Sequence, residues 1–226
     1  MITKTQKFWD KQAKGYDHSE RQFEQVFKEI ILKTKAYLTP NDIVLDFGCA
    51  TGTKTLELAD SVKHIYGLDI SAEMINQANK KMIECNLQNI SFTQVDIFDS
   101  TFEKSTFDKI ISFGVIHLLD ENEKIINRIH ELLKPNGLFI SSTACLKGKM
   151  TFKNRLEFNA YLVIKKLGFF PLHLNMFIPE NVEKIITNQS FEIVKSETIY
   201  HGITISFIIA KKIKNNLHCA TRLIKH

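Results

Sequence analysis

VLDFGCATGTKT, Val44 to Thr55, decides how the chain is read. A short apolar run ends in an acid, two glycines follow, and TKTLELAD continues as a helix. Strand, glycine turn, helix is the arrangement by which an α/β protein brings backbone N–H groups close to a ligand. A triphosphate loop needs two glycines separated by four residues, then Lys and Ser or Thr. Here Gly48 and Gly52 are separated by three, and Thr53 intrudes before Lys54. A dinucleotide fingerprint needs a further glycine, and Asp46 would repel a pyrophosphate. A cofactor that carries an amino group and no phosphate suits both the acid and the glycines.

Working outward, the spacing of apolar residues predicts alternating helices and strands. FEQVFKEIILKTKAYL puts Phe23, Val26, Phe27, Ile30, Ile31 and Leu38 on one helical face before Pro40. DIVLDF, HIYGLDI, ISFTQVD, FDKIISFG and LFISSTA read as strands, with helices after the first two and KPNG as a turn before the last. Ser71 caps the helix carrying Met74, Ile75, Ala78 and Met82. Asp120 and Glu123 are spaced as a capping box for the helix with Ile125, Ile126, Ile129, Leu132 and Leu133 inward. FEIVKSETIY and GITISFIIAKK then form a hairpin through His201-Gly202. The expectation is an α/β fold: a Rossmann-like, seven-stranded sheet, mainly parallel, with a C-terminal antiparallel hairpin and helices on both faces.

The acids at strand ends narrow the ligand. Asp69 stands 17 residues beyond Gly52, and one carboxylate can accept from both hydroxyls of a ribose. After the third strand, Asp96 can accept from an adenine amino group and the Ile97 N–H can donate to a ring nitrogen, with Ile70 and Ile97 flanking the base. S-adenosyl-L-methionine joins an adenosine to a zwitterionic amino acid through a sulfonium, and it fits this set.

Those residues carry a resemblance. VLDFGCATG, GLDIS, QVDIF, FDKIISFGVIHLL and LLKPNGLFIS, with the amino-terminal FWDKQAKGYDH, resemble the class I S-adenosylmethionine-dependent methyltransferases, in particular the small-molecule group that includes quinone-biosynthesis C-methyltransferases. The resemblance covers about Phe8 to Lys212. It implies that Asp46, Gly48 and Gly52 surround the methionine half, with Cys49 as a small loop residue. It also implies Asp69 at the ribose, Asp96 and Ile97 at the adenine, Phe113 and Gly114 at the sulfonium, and Tyr16 over the amino-acid end. His117 is the candidate general base for acceptors that must lose a proton, and His18 ranks behind it. Phe8 and Trp9 are expected to pack a lid helix rather than meet substrate.

The 226 residues suit a single domain over 1–212, with amino-terminal lid helices in 1–40 and a substrate-covering insertion at 147–178. That insertion is rich in aromatic and aliphatic residues, Phe169 and Phe170 among them, and its cations outnumber its acids. It implies a small apolar or amphipathic methyl acceptor, with basic residues near the pocket mouth. A cofactor sensor without turnover, or an RNA or protein methyltransferase, are the alternative functions. The net charge of +5 is that of the last sixteen residues, which hold Lys211, Lys212, Lys214, Arg222 and Lys225 and no acid. Residues 213–226 are read as a solvated basic tail rather than an arm for nucleic acid or anionic lipid. The four cysteines stand far apart, no metal cluster is expected, and no apolar run reaches the roughly 18 residues of a membrane span. A cytoplasmic protein is the simplest reading.

Overall fold

The computed structural model describes residues 3–166 and 171–214. Seven strands form one sheet: β1 (Ile43–Phe47), β2 (His64–Asp69), β3 (Ile90–Gln94), β4 (Phe107–Phe113), β5 (Leu133–Ala144), β6 (Phe191–Tyr200) and β7 (Thr204–Lys212). Their order is β3-β2-β1-β4-β5-β7-β6. The first five run parallel, and β7 pairs antiparallel with both β5 and β6. The direction of strand order reverses between β1 and β4, and open α/β sheets bind ligands at such a point, beyond the carboxyl ends of the strands.

Eight α-helices accompany the sheet among the described residues: α1 (Lys4–Gln12), α2 (Tyr16–Glu20), α3 (Glu24–Lys35), α4 (Thr53–Leu58), α5 (Ala72–Glu84), α6 (Asn122–Leu132), α7 (Phe152–Lys166) and α8 (Pro179–Thr187). The strands are apolar on both faces because each face is covered. Val44, Ile111, Ile140 and Ile209 pack in one core with Ile30 of α3 and Ile75 of α5. Their chain neighbours Leu45, Ile110, Phe139 and Ile208 join the other core with Ile126 of α6 and Val182 of α8. The predicted seven-stranded sheet with helices on both faces is the observed one.

Local details differ from expectation in two places. KPNG is not a separate turn but a bulge within β5, where pairing jumps from Phe107↔Leu133 to Lys109↔Leu138 and Asn136 takes a φ of 64°. Asp120 caps nothing, because α6 begins at Asn122 with no side-chain cap. Its carboxylate instead meets His173 Nδ1 at 2.5 Å. The Ser71 cap forms as expected, its hydroxyl accepting from Met74 N at 3.2 Å.

Candidate active site

The turn after β1 is shaped by the protein's own crowding. Gly48, Ala50 and Gly52 all take positive φ, at 75°, 50° and 75°. The N–H groups of Gly48 and Cys49 both donate to Leu68 O, at 2.8 and 2.9 Å, which pulls the turn over the end of β2. A Cβ on Gly48 would sit 2.5 Å from Val115, and one on Gly52 2.6 Å from Phe92. These glycines therefore serve protein packing first. Gly114, at the end of β4 with φ 74°, is the contrasting case: a Cβ there would meet nothing within 4 Å. It borders open space, as a glycine beside a ligand should.

Asp46 does not reach that space. It is buried, accepts from Thr55 Oγ1 at 2.6 Å, and burial pushes its carboxyl up to about 6. Through that one carboxylate oxygen it braces the first turn of α4 from beneath. Cys49 is likewise buried, and burial raises its thiol well above the ordinary range. It borders a cavity of about 240 Å³ between the turn and α2.

Asp69, by contrast, faces a cavity. It accepts from Ala50 N at 3.1 Å through one oxygen and from Ser71 N at 2.8 Å through the other. A carboxylate has about four lone-pair sites, so acceptor capacity remains. Burial, aided by nearby Asp10, holds its pKa up to about 6. Asp69 lines a cavity of about 130 Å³ together with Gly48, Ile70, Val95, Phe113, Gly114, Leu118 and Leu119. Asp96 and Ile97 stand off this wall. Asp96 accepts from Phe98 N in a local turn, and Ile97 is buried in the core with its carbonyl taken by Arg128. Val95, one residue earlier, presents the apolar surface.

The amino-terminal segment closes the crevice with polar contacts that the sequence reading missed. Asp17 accepts from Thr51 and Thr53 hydroxyls and pairs with Lys81. Lys54 pairs with Glu20 at 2.8 Å and lies 3.8 Å over the Phe27 ring. Gln6 donates to Ile70 O at 2.9 Å. Lys54 is thus a clasp for α2 and not a phosphate ligand. The signal was present as acids in YDHSE opposite hydroxyls and a lysine in TGTKT, but sequence distance hid the pairing. Tyr16, set between these clasps, borders all three cavities, and burial raises its phenol.

The largest of these three cavities, about 490 Å³, shares Trp9, Tyr16, Phe113, Gly114, Leu118 and Leu172 with the Asp69 cavity. Ser142 and Ala144 of β5 form its floor, and Phe158 and Tyr161 of α7 belong to its wall. Phe8 and Trp9 of α1 line it too. Among the described residues its lining has two carboxylates, Glu20 and Glu157, and no Lys or Arg. Of the insertion's cations, Lys153 stands 3.8 Å from Glu157 of that lining. Phe169 and Phe170 lie outside the described residues.

His117 lines the same cavity, on a short 3₁₀ turn (Ile116–Leu118) that follows Gly114. Asn175, from the segment after α7, holds that turn by donating from its N–H to His117 O at 2.8 Å and from its amide to Leu119 O at 2.6 Å. Burial drops the imidazole to about 4, and Nδ1 has no hydrogen-bond partner. The ring is therefore neutral near pH 7 and has an acceptor or donor to offer. His18 is exposed and borders none of the three cavities.

Comparison with known proteins agrees with this geometry. A family model described as a methyltransferase domain matches residues 38–167, more than half of the chain. An uncharacterized methyltransferase of Anoxybacillus flavithermus is 30% identical over 169 residues, 71% of this chain and 74% of the relative. A ubiquinone/menaquinone biosynthesis C-methyltransferase of Rickettsia bellii is 32% identical over 136 residues, 57% of this chain and 54% of the relative. The chain spans about half the length of several curated relatives it matches. The crystal structure of a SAM-dependent methyltransferase from Methanosarcina mazei superposes with a TM-score of 0.66 at 21% identity, covering 79% of this chain and 95% of that one, and shares the fold.

Proposed function

The chain belongs to the class I S-adenosylmethionine-dependent methyltransferase family, and from that premise we propose that it transfers a methyl group to a small apolar acceptor held in the largest cavity. The observation that carries this reading is the meeting of two cavities at Phe113 and Gly114, one beside Asp69 and one walled by apolar side chains. S-adenosylmethionine, when bound, supplies an activated methyl on its sulfonium. The donor set fits it: Asp69 keeps acceptor capacity for a ribose diol, Ile70, Val95, Leu118 and Leu119 offer a slot for a flat base, and Gly114 leaves room at the junction. Asp96 and Ile97 remain assigned to the rim of the adenine slot, and Tyr16 to the cover over the amino-acid end.

The protein's own contribution is alignment. Holding acceptor and methyl donor in line is worth roughly 7–11 kcal/mol of barrier. The walls do this by shape, with Phe8, Trp9 and Phe158 excluding water. His117 is placed to accept a proton from a phenol or an acidic carbon; its depressed basicity leaves it unprotonated, so turnover should not fall between about pH 7 and pH 5.5 through loss of this base. His117→Asn should lower kcat by about 10²–10⁴ on such acceptors and much less on thiols or neutral amines.

The absence of Lys and Arg from the described lining favours a neutral acceptor over an anionic one, and disfavours RNA. The test is a panel of phenols, quinol precursors, thiols and amines, with glycine, guanidinoacetate and RNA as polar controls, read by S-adenosylhomocysteine release. Each added acceptor methylene should raise kcat/KM roughly fourfold while the cavity has room. Faster turnover of the polar controls would overturn the assignment. Cofactor binding with no turnover on any acceptor would make the chain a sensor instead.

A further inference from the structure

Helix α7 has two faces of different character. Asn154, Glu157, Phe158 and Tyr161 wall the largest cavity. Phe152, Leu156 and Val163, spaced i, i+4 and i+11, fall on the opposite stripe, and they are 83%, 62% and 58% exposed. No residue of this helix is buried. Exposed hydrophobic residues scattered singly are ordinary, but a row of large ones along one helix marks an interaction surface.

The charges beside the row say what it meets. Arg155 and Lys166 border the stripe on one side and Lys153 on the other, by their helical positions. The helix carries four cations and one acid, Glu157, which stands 3.8 Å from Lys153. A second copy packed on this stripe would bring like charges together at both edges, and like charges in apposition repel. An anionic surface turns the same charges into attraction, about fivefold in affinity per cation near it. An apolar row between basic edges is the pattern of a helix that lies in the interface of a bilayer.

We propose that the outer face of α7 docks on an anionic lipid bilayer, with Phe152, Leu156 and Val163 in the headgroup and acyl boundary. The helix has 15 residues, and no helix among the described residues is long and apolar enough to cross a membrane, so the contact is peripheral. Asn154 anchors the helix by donating to Gly202 O at 2.9 Å, and Thr151 N donates to the same carbonyl. Docking there sets the cavity behind α7 beside the lipid. The inference goes beyond the acceptor assignment and is tested separately from it.

The experiment is flotation of the full chain with vesicles of phosphatidylcholine alone or mixed with phosphatidylglycerol. Two variants accompany it: Phe152→Ser/Leu156→Ser/Val163→Ser, and Arg155→Glu/Lys166→Glu. The unmodified chain should float with the mixed vesicles, and each variant should bind them at least about tenfold more weakly. Calorimetric affinity for S-adenosylhomocysteine should be unchanged in both, which separates a docking defect from a damaged site. Failure of the unmodified chain to float overturns the proposal, as does flotation of both variants equal to that of the unmodified chain, which would assign binding to another surface. A dimer in sedimentation that the serine variant dissociates, without vesicle binding, would give the surface to a second copy and equally overturn it.

Discussion

The wall that β1, β2 and the glycine turn present to the crevice is fixed by backbone contacts that an added methyl group would break. The wall that α7 presents is made of side chains on a helix with no buried residue. On the first wall, Gly48 and Cys49 N–H groups converge on Leu68 O, and Asp69 ties Ala50 to Ser71. On the second, Asn154 and Asn175 make the anchoring contacts named above, and shape is supplied by Phe158, Tyr161 and Leu172. The difference suits the ligands each is assigned. A cofactor that never changes can be met by backbone geometry, whereas an acceptor is met by surfaces that substitution can reshape.

The sharpest way to break this contrast is to load each kind of glycine. Gly52→Val puts a branched side chain into Phe92 and Ala78 at a positive φ. Overpacking and left-handed strain together should cost about 2–5 kcal/mol in urea unfolding. Gly114→Ala meets no neighbour and should cost only about 1–2 kcal/mol from strain. Its effect should instead appear as weaker S-adenosylhomocysteine binding. Equal losses of stability in the two variants would erase the distinction between packed and open glycines.

A second test sets the walls against each other through pH. Burial lowers His117 to about 4 from an ordinary 6.5. Between those values the unfolded chain binds a proton that the folded chain refuses, so this group's contribution is full above about pH 6.5 and is lost as pH falls toward 4. Asp46 and Asp69 run the opposite way. Burial raises each to about 6 from 3.8, so they favour the folded chain at low pH and lose that contribution as pH rises through 6. His117→Asn removes only the first trend. The stability advantage of the unmodified chain over that variant should shrink by about 2–3 kcal/mol from pH 7 to pH 4. A pH-independent difference would mean that the imidazole is not held neutral.

The smallest expected effect concerns the carboxyl end, where the domain was expected to stop at Lys212. Ile213 is still held, its N–H donating to Ser190 O and its carbonyl meeting His130 Nε2, both at 3.0 Å. Deletion from Ile213 onward should therefore cost about 1 kcal/mol more than deletion from Asn215 onward, read as a shift in the urea midpoint. Equal midpoints would restore the earlier boundary.

Much of the first wall was legible in the sequence because its constraints are local. Positive φ at Gly48 and Gly52, a cap at Ser71 and an acid ending β2 each leave a mark within a few residues. At Asp46 the sequence does not show that one carboxylate oxygen is committed to Thr55 beneath the turn. What the sequence did not carry at Asp96 is where the chain turns: Val95 lines the cavity, while Asp96 accepts from Phe98 N just beyond it. The clasps of Lys54 with Glu20 and of Asp17 with Thr51 join residues 34 apart, and periodicity carries no information at that distance. The second wall was legible only in outline. Composition foretold an apolar insertion, but not that Phe152, Leu156 and Val163 would face outward.

The most direct test of the central claim is a calorimetric titration of S-adenosylhomocysteine, with NAD as the competitor, into the unmodified chain and Asp69→Ala. Micromolar-range binding that NAD does not displace is expected for the unmodified chain. The variant, once shown by urea unfolding to be folded, should bind at least about tenfold more weakly, since a hydrogen bond to a charged group is worth about 1.5–3 kcal/mol. Unchanged affinity in Asp69→Ala, or preferential binding of NAD, would contradict the account.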